Sequence, residues 1–339
     1  MMKRIRIAQI GLGHPHAVDT LEALLRLTDD FEVIGLAEPS PDYCHPEHVN
    51  SLRRQKLYET LPRYTVDELL AMDDLDAVAV ECEEENGTKY AQMFADKGIH
   101  IHFDKPGTHG VPAFEKLIET CRKNKNVLHM AYMYRYNPMV QRAMEMLKNG
   151  EFGEVYSVEA HMSLLYGANM VSWIGKHKGG MMYYLGCHDV DLVMQFMGGE
   201  PETVIPLNAR TGQYGIDSEN HGFAVLNYPS GASFVKTTCA EPLGYTRRQL
   251  VINGSKATME IKPIEIMLGY KPESGVTLKA QAVIHRVGDK TETVETEPFE
   301  RYEGMLRGFA AYARGDKENP YTYDYELSLF KTVMKACGC

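Results

Sequence analysis

Apolar and polar positions alternate from Arg4 to Ile10, with Ile5, Ile7 and Gln9 on one face and Arg6, Ala8 and Ile10 on the other. A period of two predicts a strand. That strand runs into Gly11-Leu12-Gly13-His14-Pro15-His16, and apolar residues then recur at helical spacing at Val18, Leu21, Leu24 and Leu25. The exchange between the two periods repeats. Strand-like runs fall at Phe31–Ala37, Ala77–Val80, Ile99–Phe103 and Val127–Ala131, and helical stretches carry Tyr90 with Phe94, and Phe114, Leu117, Ile118 and Cys121. Thr65-Val66-Asp67-Glu68 is a capping box that opens a further short helix. Strands alternating with helices over some 130 residues predict a doubly wound parallel sheet of the Rossmann type.

The pattern changes in the second half. Asn137-Pro138 caps and starts a helix through Leu147 that Gly150 ends, and Val155–Met162 reads as a strand. Leu164–Gly180 reads as a long loop and Met181–Met197 as a helix. From Pro201 onward the chain is β-rich. Gly222–Tyr228 and Ala232–Thr238 alternate around Pro229-Ser230-Gly231, while Gln249–Ile252 and Lys256–Ile261 flank Asn253-Gly254, a strong hairpin signal. Two helices near 300–314 and 323–336 close the chain. The prediction is an α/β chain of two domains. Residues 1–132 form the dinucleotide-binding sheet, and residues 133–339 form an α+β domain with a large open mixed or antiparallel sheet. The last helix is free to pack back on the first domain.

Length and composition narrow the function. A chain of 339 residues suits two cores. Its 46 acids against 36 bases give a net charge of −10 and no basic face for nucleic acid. The basic N-terminus lacks an apolar region and a cleavage site, so no signal peptide is expected, and no run of about 18 apolar residues predicts a membrane span. Seven cysteines without paired spacing fit reduced thiols, hence a cytoplasmic location. A one-sided sheet of this size predicts a homodimer or homotetramer formed through it.

Candidate chemistry collects at strand ends. Ile99–Phe103 stops abruptly at Asp104-Lys105-Pro106-Gly107, which places one lysine at the rim where open α/β sheets bind ligands. Pro106 stiffens that turn, and its peptide bond can be cis. Gly11 permits a tight turn, and Gly13 lets the backbone approach a pyrophosphate at the helix N-terminus, beside Leu12 and His14. Glu38, about 25 residues on, is placed to bind the adenosine ribose and to repel a 2′-phosphate. With no Lys or Arg before Arg53, NAD is expected rather than NADP. The alternative for Glu38 is a surface acid at a strand end. His14 and His16 are too few for a metal, and no metal site is expected; they read as polar groups near the cofactor phosphate or as solvated loop residues. The acids of Glu81–Glu85 read mostly as a solvated loop. Tyr166 and Trp173 on the long loop suit sugar binding or ordinary packing, and Tyr184, His188 and Asp191 fall at i, i+4 and i+7 on one helix face.

Taken together, these motifs resemble the glucose-fructose oxidoreductase / inositol dehydrogenase / MocA family over nearly the whole chain. The resemblance rests on Gly11-Leu12-Gly13, on Asp104-Lys105-Pro106 for the family's Glu-Lys-Pro, and on Arg135-Tyr136-Asn137-Pro138 for its Arg-x-Asn-Pro. It rests also on the segment from Gly179-Gly180 to His188-Asp189-Val190-Asp191. It implies a dehydrogenase of a sugar, cyclitol or related polyol. Lys105 would contact the reacting hydroxyl and His188 would accept its proton, with Asp104 near the cofactor and Arg135 and Asp191 near the substrate. The chain departs from the family at Tyr184, where many relatives carry Asp, and at Asp104 for Glu. It departs also at Glu83 and Gly87 near the nicotinamide, and at Met181 for a third glycine. Tyr184 is therefore a candidate catalytic phenol that donates or relays a proton. Two other activities exist in the family: glycoside cleavage through transient oxidation, and dinucleotide sensing without catalysis.

Overall fold

A computed structural model describes residues 3–43, 45–46, 52–107, 110–271 and 273–339. The chain divides into two compact units, one built on Met1–Ala131 with Tyr302–Leu327, the other on Tyr132–Lys271, Val276–Arg301 and Ser328–Cys339.

The first unit runs β1 (Ile5–Ile10), α1 (Pro15–Arg26), β2 (Phe31–Ala37), α2 (Leu52–Glu59), α3 (Val66–Leu70), β3 (Ala77–Val80), α4 (Gly87–Asp96), β4 (His100–Phe103), α5 (Val111–Asn124) and β5 (Leu128–Met130). Its five strands are all parallel in the order β2-β1-β3-β4-β5. The order reverses between β1 and β3, which opens a crevice outside the carboxyl ends of those strands. The α1 face buries Val18 and Leu21 against Leu12, Leu36 and Tyr58. Thr65 and Glu68 form the reciprocal capping box at the start of α3.

The second unit opens with α6 (Pro138–Lys148), capped by the Asn137 side chain on the backbone N–H groups of Met139 and Val140. There follow β6 (Val155–Ser163), α7 (Ala168–Ile174), α8 (Cys187–Met197), β7 (Thr203–Pro206), β8 (His221–Tyr228), β9 (Gly231–Thr238), β10 (Gln249–Gly254) and β11 (Ala257–Ile261). Then come β12 (Ile266–Lys271), β13 (Gly275–Lys279), β14 (Gln281–Arg286), β15 (Lys290–Glu295) and β16 (Phe299–Glu300). Eight strands form one sheet in the order β15-β14-β11-β10-β6-β9-β8-β7. It is mixed because β6 runs parallel to β9 and antiparallel to β10. Along β8 every second residue is buried, the period expected of a sheet with one covered face.

Two helices complete the chain, α9 (Glu303–Arg314) and α10 (Tyr323–Ala336). Phe309 of α9 stacks on Phe31 and on His129, with ring centroids 6.4 and 5.4 Å apart. At the start of α10, Arg122 pairs with Asp324 at 2.6 Å and the Tyr323 hydroxyl donates to the Cys121 carbonyl. No helix among the described residues is long and apolar enough to cross a membrane.

Two local expectations are corrected. The predicted loop Leu164–Gly180 contains α7, because Met170, Val171, Trp173 and Ile174 bury a short apolar face between Gly167 and Gly175. The predicted helix Met181–Met197 is present, with Met182–Gly186 wound as a π-turn ahead of α8. Asn253-Gly254 does not make the hairpin turn: Asn253 still pairs with Thr258, and the chain reverses beyond it. A Cβ at Gly254 would run into the Phe152 carbonyl, so close backbone approach is what that glycine serves.

Candidate functional site

In the first unit β1, β3 and β4 end side by side, and each delivers a polar residue to the same crevice: His14 follows β1, Glu81 follows β3 and Asp104 follows β4. Gly11 takes φ +89°, where a side chain is strained, and a Cβ there would lie 2.5 Å from the Glu81 carbonyl oxygen. Gly13 is equally crowded, against the Tyr43 carbonyl. Pro15 begins α1 and His14 is its N-cap, the Nδ1 accepting a long 3.4 Å bond from the His16 N–H. The Lys105-Pro106 peptide is cis, and both Asp104 and Lys105 are buried.

Glu38 lies at the end of β2. One carboxylate oxygen accepts the Leu12 N–H at 2.6 Å, the other the Ser40 N–H at 2.8 Å. The acid is thus tied to the glycine turn and oriented beside it. A carboxylate has about four lone-pair positions, so two backbone donors leave room for ribose hydroxyls. Burial raises the Glu38 carboxyl pKa, opposed by the backbone N–H groups it accepts. The positive-φ glycine, the N-terminus of α1 and the oriented Glu38 therefore fit a dinucleotide. Gly11, Leu12, Gly13 and His14 are the groups that would hold its phosphates, and Glu38 its ribose.

Around that turn the charges are unusual. His14 Nδ1 lies 3.4 Å from Asp104 Oδ2 and 3.9 Å from Glu81 Oε2, and its Nε2 lies 3.5 Å from Glu84 Oε1. His16 Nδ1 is 3.0 Å from Asp104 Oδ1. Burial would lower the His14 pKa, but Asp104, Glu84 and Glu81 outweigh it and hold it above its ordinary value. Burial lowers His16 despite Asp104. Burial and Asp104 push Glu81 up to about 8. Burial works against Asp104 ionising, yet His16 and His14 hold its carboxyl well below the usual range. The reading of Glu81–Glu85 as a mostly solvated loop is corrected here: Glu81 is fully buried, Glu83 and Glu84 are half-buried, and only Glu85 is exposed. The signal was available in the sequence, since Glu81 is the residue on which the apolar run Ala77–Val80 ends.

The second unit holds the remaining candidates. His188 is buried in the first turn of α8, with its ring edge-on to Tyr132 at 5.5 Å and to Tyr134 at 5.1 Å. The Tyr134 hydroxyl donates to Glu265 Oε1 at 2.8 Å, and Arg248 reaches the same oxygen at 2.9 Å. Arg301 reaches the other oxygen of Glu265 at 3.2 Å. This network fixes Tyr134, one wall of the histidine, and no motif in the sequence pointed to it. Tyr184 sits in the π-turn, 5.3 Å from the Trp173 ring and 6.3 Å from Tyr166. The expected substrate contacts Arg135 and Asp191 meet each other in a fully buried ion pair at 2.8 Å. One side of the guanidinium lies over the Tyr132 ring at 4.5 Å. Asp189, which the sequence did not single out, is completely buried, and burial drives its carboxyl well above the usual range.

Comparison with known proteins adds a family. Residues 5–132 match the GFO/IDH/MocA model described as an oxidoreductase family with an NAD-binding Rossmann fold, and residues 140–260 match the GFO/IDH/MocA C-terminal domain. A D-xylose 1-dehydrogenase (NADP(+)) of Haloferax volcanii is 32% identical over 167 residues, covering 49% of this chain and 50% of that protein. An alpha-N-acetylgalactosaminidase of Bacteroides fragilis is 25% identical over 191 residues, 54% of this chain and 42% of its own. The chain thus spans half or less of either relative. The crystal structure of an aldose-aldose oxidoreductase from Caulobacter crescentus, complexed with glycerol, shares the fold. Its TM-score is 0.77 at 18% identity, over 98% of this chain and 96% of that one.

Proposed function

This chain belongs to the GFO/IDH/MocA oxidoreductase family, and on that premise we propose that it is an NAD-dependent dehydrogenase of a sugar, cyclitol or related polyol. The observation that carries the reading is Lys105, buried at the carboxyl end of β4 beside the glycine turn of a Rossmann sheet. When bound, the nicotinamide supplies a hydride acceptor for the carbon that bears the reacting hydroxyl. The Lys105 ammonium contacts that hydroxyl and stabilises the charge that grows on its oxygen. His188, held edge-on between Tyr132 and Tyr134, accepts the proton. Tyr184 takes the place of a carboxylate and donates or relays a proton, with Tyr166 and Trp173 at its ring offering aromatic faces to a sugar. Arg135 and Asp191, locked together, serve this site by holding Tyr132 and α8 in place.

Glu38 favours NAD, since a 2′-phosphate beside an oriented carboxylate is repelled; the xylose dehydrogenase relative, by contrast, is named for NADP. We also propose a homo-oligomer formed through the half-covered eight-stranded sheet, measurable as the mass in solution.

The test is turnover. Purified protein with NAD or NADP and a panel of sugars and polyols is followed by the absorbance of the reduced nicotinamide. Net reduction with a panel member is expected, and Lys105→Ala should lower kcat/KM by about 10²–10⁴-fold while dinucleotide binding persists. Unchanged turnover in that variant overturns the assignment. Release of an aglycone from glycosides with no net reduction would put the chain with relatives that cleave glycosides.

A further inference from the structure

The chain carries, at the carboxyl ends of β1, β3 and β4, a set of candidate metal ligands, of which His14 and Asp104 also border the proposed dinucleotide site while His16 and Glu81 have no part in the proposed reaction. One ligand atom from each of His14, His16, Glu81 and Asp104 can be chosen so that all four lie within 4.8 Å of one another. Two imidazoles and two carboxylates from three separate strand ends are the donor set of a divalent first-row transition ion.

Three observations separate this cluster from a chance meeting of polar groups. Glu81 is fully buried, its Oε2 has no hydrogen-bond partner, and that oxygen faces His14 Nδ1 at 3.9 Å. An unsatisfied buried carboxyl oxygen is costly, and a cation taking the place of the Glu81 proton would relieve it. Two of the ligands, Glu81 and His14, are also braced from behind, as metal ligands are. The Thr20 hydroxyl donates to Glu81 Oε1 at 2.8 Å, leaving Oε2 turned inward. The second nitrogen of His14 lies 3.5 Å from Glu84, which in turn accepts from the Tyr43 hydroxyl at 3.3 Å. Finally, Glu81, Glu84 and Asp104 bring three carboxyl groups around His14, at the sheet edge where a Rossmann turn receives phosphates.

We propose that His14, His16, Glu81 and Asp104 bind a divalent first-row transition ion at the glycine turn, with Thr20 and Glu84 orienting Glu81 and His14. His14 Nδ1 lies 3.4 Å from Asp104 Oδ2 and 3.9 Å from Glu81 Oε2, near the ~3.3 Å expected between ligand atoms around a tetrahedral ion with bonds near 2.0–2.1 Å. The full set of four spans up to 4.8 Å, so side-chain rotations that draw it inward accompany binding and replace the weak bond from the His16 N–H to His14.

The full-length protein, stripped with chelator and without dinucleotide, is titrated with Co²⁺, and its metal content is measured after gel filtration. One ion per chain with weak visible bands of a nitrogen and oxygen ligand set is expected. His16→Ala and the near-isosteric Glu81→Gln should abolish retention with the circular dichroism unchanged. Thr20→Val, which removes only a bracing hydroxyl, should weaken affinity by about tenfold. No retained ion in the wild type overturns the proposal. So does an intense thiolate charge-transfer band, or retention insensitive to both Glu81→Gln and Thr20→Val, the variants least able to disturb folding. Because the readout is metal alone, it is independent of whether the chain turns over a polyol.

Discussion

Arg135 and Asp191 satisfy one another in the interior of the second unit: Nε lies 3.1 and 3.0 Å from the two carboxylate oxygens and Nη2 lies 2.8 Å from Oδ1. Gln195 donates to Oδ2 at 2.9 Å, and Gln141 donates to the Arg135 carbonyl, so both ends of the pair are braced. A pair this buried is expensive to break one side at a time, because the survivor keeps its charge without water. Arg135→Ala or Asp191→Asn is expected to cost about 3–5 kcal/mol of stability, read from urea unfolding. The double variant Arg135→Met, Asp191→Leu should cost less than either single one. A loss under about 1 kcal/mol in both singles would contradict the role of the pair.

Asp189 behaves in the opposite sense. Burial holds its carboxyl protonated in the fold well above the pH at which the unfolded chain ionises. The unfolded state therefore gains by releasing the proton, and the folded state loses relative stability as pH rises from about 4 through the raised folded value. Asp189→Asn, which cannot ionise, should be at least as stable as the wild type at pH 7, and its advantage should vanish near pH 4. Thermal unfolding across that pH range tests it; an advantage that grows toward acid would be the wrong sign.

Glu38 bears on cofactor choice. Its two oxygens are fixed by Leu12 and Ser40, so its charge is held in one place beside the turn. Glu38→Ala is expected to shrink the ratio of NADP to NAD dissociation constants by about 10–100-fold, or ~1.4–2.8 kcal/mol. Calorimetric titration of both dinucleotides measures it, and a wild type that binds NADP as tightly as NAD removes the basis for the NAD assignment.

Gly11 can be tested by a single methyl. At φ +89° a side chain costs about 1–2 kcal/mol in the backbone alone, and here the added Cβ also meets the Glu81 carbonyl at 2.5 Å. Gly11→Ala should lower thermal stability by at least that amount and impair dinucleotide binding. A variant that binds and melts like the wild type would show that the turn yields.

By itself the sequence determined the local elements and their order. The strand at Arg4–Ile10, the glycine turn that follows it, the capping box at Thr65 and the Asn137-Pro138 helix start stand where they were read, the last two satisfied by neighbours within a few positions, while β1 is buried on nearly every position rather than on alternate ones. Errors appeared where distant packing overrides local preference. Examples are the short buried helix inside Leu164–Gly180 and the hairpin displaced past Asn253, where Gly254 lies against Phe152. The end of β4 before Asp104-Lys105-Pro106 was legible because a strand that stops at charged residues before a proline is a local event. What only the tertiary structure decided is the company each candidate keeps. Arg135 found Asp191, and the two histidines of the glycine turn found Glu81 and Asp104, residues 65–90 positions away, because a parallel sheet lays the ends of separate strands side by side. Nothing in one strand's sequence records which side chain stands at the end of the next.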